Sequence, residues 1–192
     1  MQKIITRHFR EHIEVQQKVL RECGPAIEQC ARLFVETYRR GGKVMFCGNG
    51  GSAADSQHLA AELVVRLRGS FDRPALAAIA LSVDTSILTA GGNDFGFEQI
   101  FSRQIEALGQ PGDLLVAIST SGNSENVRRA VQTARQNRIQ TIGFLGGEGG
   151  QLKSEVDLPL VIPSETTARI QEAHITVGHI ICELLEESLF PA

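Results

Sequence analysis

No run of about 18 apolar residues occurs in this chain, so nothing in it is long enough to cross a bilayer as a helix. Its four cysteines, Cys23, Cys30, Cys47 and Cys182, contain no Cys-x-x-Cys pair. That argues against a thiolate zinc knuckle and a thioredoxin-like redox pair, and buried free thiols are expected instead. A basic surplus is missing too: the net charge is -3 and the pI near 6.0, the wrong balance for an electrostatic nucleic-acid binder. Arg128-Arg129, Arg66 and Arg68 are local exceptions, expected as surface or substrate contacts. The opening residues, Met1 to Arg10, lack the apolar core of a signal peptide, so a cytoplasmic location is expected. No repeat, low-complexity tract or linker interrupts the chain. With 42% hydrophobic and 21% charged residues over 192 positions, one full core is expected. The expected single domain spans 1–192, with N-terminal helices over 1–40 and a core from about 37.

The pattern from Ile4 to Arg40 is helical, with a break at Gly24-Pro25 that reads as a helical hairpin. Short apolar runs follow at Val44 to Cys47, Leu76 to Leu81, Leu114 to Ser119, Thr141 to Leu145 and Leu158 to Ile162, as in strands buried on both faces. Helical periods fill Ala53 to Arg68, Glu98 to Ala107 and Ser124 to Asn137 between them. The alternation implies an α/β domain, a three-layer doubly wound parallel sheet. A long C-terminal helix from Glu165 to Leu189 carries an apolar stripe broad enough for a subunit contact. Glycines at Gly146-Gly147 and Gly149-Gly150 mark a loop after the fourth strand.

Two segments carry the chemistry. Cys47-Gly48-Asn49-Gly50-Gly51-Ser52 follows the first strand and opens a helix; Ser119-Thr120-Ser121-Gly122-Asn123-Ser124 follows the third and opens another. Each presents free backbone N–H groups to an anion, and topology puts both at the carboxyl edge of the sheet. The second loop offers four hydroxyls, more than a helix cap needs, and no Gly-Lys-Ser/Thr follows, so a sugar phosphate suits it better than a triphosphate. Gly48-Asn49-Gly50-Gly51-Ser52-Ala53 also fits the dinucleotide fingerprint G-x-G-x-x-A. That reading wants an acidic residue at the end of the second strand, but Asp72 lies before it and Asp84 too far along.

His58, Glu62 and Arg66 follow at steps of four and would share one helix face. A histidine and a carboxylate so placed can share a metal ion or act together on a substrate; the plain alternative is an exposed face with a Glu–Arg pair. On the last helix Gln171 and His179 are eight apart, with Glu172 and His174 between. A lone histidine there is more often a satisfied core or interface residue. Asn93 and Asp94, after Gly91-Gly92, are expected in a loop, for turn chemistry or hydroxyl recognition.

Over nearly its whole length the chain resembles the sugar isomerase (SIS) domains and, among them, the phosphoheptose isomerases. The resemblance is carried by the two loops, Gln57-His58-x-x-x-Glu62, Gly92-Asn93-Asp94-Phe95, and Arg169-Ile170-Gln171-Glu172-x-His174 followed by His179. It implies substrate contacts from Asn49, Gly50, Gly51, Glu62, Arg66, Asn93, Asp94, Ser119, Thr120, Ser121, Ser124 and Gln171. It also implies a zinc site from His58, Glu62, Gln171 and His179, and acid/base roles for Glu62 and His179. The implied reaction converts sedoheptulose 7-phosphate into D-glycero-D-manno-heptose 7-phosphate, in a cytoplasmic homotetramer that feeds ADP-heptose and lipopolysaccharide core synthesis. Some isomerases carry Asp where this chain has Ala168, so no role for that carboxylate transfers.

A binding module of the same group, the DnaA initiator-associating protein, shares Ala168-Arg169-Ile170-Gln171-Glu172 and an ending like Leu189-Phe190-Pro191. It lacks the counterparts of Glu62 and His179, which favours the isomerase here. A sugar-phosphate-sensing regulator would need a DNA-binding segment, for which this acidic chain offers no basic stretch.

Overall fold

The computed structural model describes residues 1–191. Two helices come first, α1 (Gln2–Glu22) and α2 (Gly24–Arg39). They part at the Gly24-Pro25 break, where Pro25 stands in the first turn of α2 and its missing N–H costs nothing. Then follow β1 (Val44–Gly48), α3 (Gly51–Val64), β2 (Ala78–Ala80), α4 (Thr85–Phe95), a 3-10 turn at Phe97–Gln99, α5 (Ser102–Leu108) and β3 (Leu114–Ser119). The chain ends with α6 (Glu125–Gln136), β4 (Gln140–Gly146), α7 (Leu152–Glu155), β5 (Leu158–Ile162) and α8 (Thr167–Leu189).

All strand pairs are parallel, in the order β2-β1-β3-β4-β5. Every residue of β1 and β3 is buried, because helices cover both faces and leave no solvent side to alternate toward. Val44 and Phe46 pack on Phe34, Leu59, Val177 and Ile181, from α2, α3 and α8. Met45 and Cys47 face the opposite layer, with Ile105 of α5 and Val127 and Ala130 of α6. The expected three-layer α/β architecture with its helical hairpin and long last helix is present. Most of the α8 stripe is consumed by this core, leaving Ile180 and Leu184 at the surface.

Three local expectations are corrected. Gly91 to Asp94 lie on a helix, not in a loop: the Asp84 side chain accepts a hydrogen bond from the Ile87 N–H at 2.9 Å and starts α4, and Gly96 at φ 90 ends it. Helix α3 stops at Val64, so Arg66 lies beyond it and does not continue the His58–Glu62 face. The cause is local: Arg73 takes up the carbonyls of Glu62 and Leu63, which close the helix at its C-terminal end. The helix expected from Glu98 begins instead at Ser102, after the 3-10 turn.

All four cysteines are free and buried. Burial pushes Cys30, Cys47 and Cys182 up to about 12, so these thiols stay protonated at neutral pH. His174 is a core residue: its Nε2 donates to the Leu145 carbonyl at 3.0 Å and ties α8 to β4. Burial lowers its pKa from 6.5 to about 4, partly opposed by that bond. An unfolded chain therefore takes up a proton on this ring below about 6.5 while the folded one refuses it until about 4. The stability tied to neutral His174 is complete above the upper value and drains away as pH falls between the two. Urea unfolding of wild type and His174→Leu at pH 7 and 4.5 checks this, since the variant should lose less stability across that interval.

Candidate functional site

The direction of chain connection reverses between β1 and β3, and in an open parallel sheet that reversal leaves a crevice at the carboxyl edge. Gly48 pairs with Ile118 at the ends of these two strands, so the two expected loops meet there. In the first loop Gly50 turns at φ 56 and sends the chain into α3. In the second, Gly122 N–H donates to Ser119 O at 3.1 Å and closes a tight turn. The Ser119 and Ser124 hydroxyls lie 3.1 Å apart. Ser124 is the N-cap of α6 yet makes no side-chain capping bond, so its hydroxyl and the N–H groups of Glu125 and Asn126 remain available to an anion. Asn123 braces the loop: its amide donates to Ser121 O at 3.0 Å and accepts from Gln151 N–H at 3.0 Å.

Asn126 was not among the expected residues. Its amide and that of Asn49 exchange two hydrogen bonds, at 2.9 and 2.8 Å, and clasp the two loops together. Its Oδ1 also accepts from Val127 N–H at 3.0 Å. The available signal was a polar residue on the face of α6 that otherwise buries Val127, Ala130, Val131 and Ala134.

The second centre lies along α3 and α8. Nε2 of His58 sits 3.0 Å from Glu62 Oε1 and 3.2 Å from His179 Nε2. One donor atom from each of the three residues falls within 4.8 Å of the others. Atoms bearing lone pairs at these separations need a shared positive centre, a proton or a cation. Tetrahedral zinc with ligand bonds of about 2.0–2.2 Å would hold its ligand atoms roughly 3.3–3.5 Å apart, so this nitrogen–nitrogen–oxygen set fits a divalent cation with little movement. Gln171 stands two turns earlier on α8, with its amide against the backbone of Gly51. It makes no hydrogen bond to the trio among the described residues.

Asp55, one turn before His58, was also not among the expected residues. Burial raises its carboxyl to about 6, an effect reduced by His58, and its Oδ2 is buried without a hydrogen-bond partner among the described residues. The remaining expected residues stand apart from these two centres. Arg66 faces Asp72 at 3.6 Å. Asn93 and Asp94 are exposed on α4, where the Asn93 amide donates to Asp94 at 2.7 Å. Arg128 and Arg129 are engaged with Glu125, Glu155 and Glu98, and Arg68 with Glu183, Glu186 and Glu187. Neither acidic residue of the dinucleotide reading is placed for a ribose: Asp84 caps α4, and Asp72 precedes β2 and so lies off the carboxyl edge of the sheet.

Gly51 and Gln171 adjoin at the N-terminal ends of α3 and α8, and His58 and His179 adjoin seven and eight residues further on. The two helices therefore run side by side in the same direction. At about 1.5 Å of rise per residue, the trio lies roughly 10 Å down the helices from the anion-binding edge.

Fold and site thus define an α/β domain with an anion-accepting loop pair at the switch point of a parallel sheet and a His–Glu–His cluster a short distance away. A family model described as "SIS domain" matches residues 7–146. The chain is 52% identical over 190 residues to the phosphoheptose isomerase of Trichlorobacter lovleyi, covering 99% of this chain and 96% of that one. Among solved structures, the phosphoheptose isomerase of Neisseria gonorrhoeae superposes with a TM-score of 0.91 at 43% identity, covering 97% and 98% of the two chains. That of Francisella tularensis gives 0.92 at 38% identity, with 96% and 97% covered. The chain belongs to the phosphoheptose isomerase family of SIS domain proteins.

The second loop has no room for a side chain at Gly122. Its φ is +66, and an added Cβ would lie 2.5 Å from the Gly149 carbonyl carbon and 2.9 Å from Gly150 N. Gly122→Ala should therefore push the loop off its neighbour at a strain of about 1–2 kcal/mol. Affinity for inorganic phosphate should fall roughly tenfold, read by calorimetry, with the circular dichroism spectrum unchanged.

Proposed function

We propose that the protein is a sedoheptulose 7-phosphate isomerase, forming D-glycero-D-manno-heptose 7-phosphate. The observation that carries this reading is the pairing of an anion-binding edge with an acid/base trio roughly 10 Å away along two parallel helices. A phosphate anchored at one end of a sugar chain leaves the carbonyl end to reach the trio. The Ser119–Ser124 loop and the start of α6 hold the phosphate, with Asn49, Gly50 and Gly51 on the opposite wall. Asn93, Asp94 and Arg66, which stand apart from both centres within one subunit, are assigned to the sugar hydroxyls of a site completed between subunits.

Ketose and aldose interconvert when a proton moves between neighbouring carbons through an enediol, with matched proton movement at the oxygens. Glu62 moves the carbon-bound proton. His179 opens the sugar ring and protonates oxygen, and the reverse assignment meets the same geometry. His58, Glu62 and His179 are the residues that would hold zinc, and Gln171, eight residues before His179 on α8, would have to reach down the helix to join them; the metal-holding and proton-moving roles of Glu62 and His179 alternate as substrate enters. When bound, the metal supplies Lewis-acid polarisation of the carbonyl oxygen. Exposed apolar residues on α1, Ile5, Phe9, Ile13 and Leu20, support assembly into a homotetramer with sites between subunits. We place the enzyme in the cytoplasm, at the first step of ADP-heptose synthesis for lipopolysaccharide core. The presence of Glu62 and His179 weighs against the non-catalytic binding role of the DnaA-associating relative, despite the shared Ala168 to Glu172 stretch.

A coupled assay with sedoheptulose 7-phosphate tests the reading. Glu62→Gln and His179→Ala should each lose about 10²- to 10⁴-fold in turnover while folding and assembly persist. Chelation should reduce turnover and added zinc restore it. Near-normal turnover in Glu62→Gln would overturn the assignment of that residue. A wild type inert on the sugar but able to bind DnaA would overturn the enzyme reading itself.

A further inference from the structure

The most heavily bonded buried charge in the molecule lies behind the trio, outside every residue assigned above. Arg73 and Glu186 face each other at 2.9 Å with both side chains only 1% exposed. Arg73 arrives from the segment after α3 and spends four hydrogen bonds there. Its Nε donates to Glu186 Oε1 at 2.9 Å, and its Nη1 donates to Leu63 O at 2.9 Å and to Pro74 O at 3.0 Å. Its Nη2 donates to the carbonyl of Glu62 at 2.7 Å. Glu186 is filled in turn: Leu67 N–H also donates to its Oε1, and Arg68 Nε to its Oε2, each at 3.3 Å.

The placement is specific. Carbonyls in the last turn of a helix lack partners within it, and a cation there is favoured by the helix dipole. Arg73 satisfies two such carbonyls in α3, one belonging to the residue whose carboxylate joins His58 and His179. Glu186 stands on α8 seven residues after His179, two turns along the same helix. One rigid guanidinium fork therefore ties the end of α3 to α8, directly beyond the point where the two helices present Glu62 and His179 to each other.

We propose that Arg73 and Glu186 are positioning residues: their buried pair sets the register of α3 against α8 and thereby the geometry between Glu62 and His179. This rests on the acid/base reading of that pair given above. Stability alone is a weak reason for such a pair, because buried ion pairs are commonly replaced by apolar residues without loss of stability. Turnover is a stronger one, since displacement of a reacting group by about 1 Å can cost 100-fold in rate.

The test uses the double variant Arg73→Leu/Glu186→Leu, which removes both buried charges together and should fold and assemble as the wild type does. Its kcat for the sugar phosphate should fall at least about tenfold while KM stays within about twofold, because the phosphate loop lies at the other end of the helices. Cobalt(II) titrated into the protein, followed by its visible absorption, should bind the trio correspondingly more weakly. Arg73→Lys should not restore kcat, since an ammonium cannot reproduce the fork. A folded double variant with wild-type kcat and cobalt affinity would overturn the proposal. If the double variant does not fold, Arg73→Lys, which keeps the buried charge and loses only the fork, takes its place with the same criteria. Glu62→Gln measured alongside separates the two readings: full turnover there sinks the acid/base assignment, whereas full turnover only in the Arg73 and Glu186 variants sinks the positioning role.

Discussion

The parallel pairing of β1 with β3 is the constraint on which the rest of the site depends. These strands are far apart in the chain, yet their register sets Gly48 beside Ile118 and delivers both loops to one edge. The Asn49–Asn126 amide exchange then fixes the spacing of the loops at the crevice. Antiparallel pairing of the same strands would have sent the loops to opposite ends of the sheet and left two separate helix starts.

A second constraint comes from the packing of α3 on α8. Gly178 sits against Leu59, so closely that an added Cβ would lie 2.5 Å from a Leu59 methyl carbon. The absent side chain lets the helices approach, and the next residue, His179, then reaches His58. The apolar core and the polar trio are therefore consecutive parts of one helix contact. Close packing holds the helix axes at a short distance, and the Arg73–Glu186 pair adds a fixed point beyond it.

The fold class was legible because strands buried on both faces write themselves as uninterrupted apolar runs such as Leu114 to Ser119. The loops were legible because anion binding at a helix start needs small and hydroxyl-bearing residues in sequence. His58 and Glu62 could be paired by their spacing on one helix, but His179 lies 121 residues from His58, and only the resemblance joined them. Asn126, Asp55 and Arg73 escaped notice for a shared reason: a polar side chain in a helical or loop segment is expected at a solvated surface, and only packing reveals that it faces inward. The reading of Gly91-Gly92-Asn93-Asp94 as a loop followed turn chemistry faithfully, but the capping carboxylate of Asp84 outweighed poor helix formers on a helix that buries none of its residues. Periodicity does not register that the Arg73 guanidinium, a few residues further along the chain, ends α3 before Arg66.

The shared direction of α3 and α8 also gives the crevice a polarity. Both helices turn their electropositive ends toward the loops. Glu62 stands near the opposite, electronegative end of α3, two residues before its last. An anion is drawn to one end of this track and a cation or a transferred proton to the other. A ligand with a charged tail and a neutral head therefore meets a built-in compass, and can be turned the right way round before any hydroxyl is recognised.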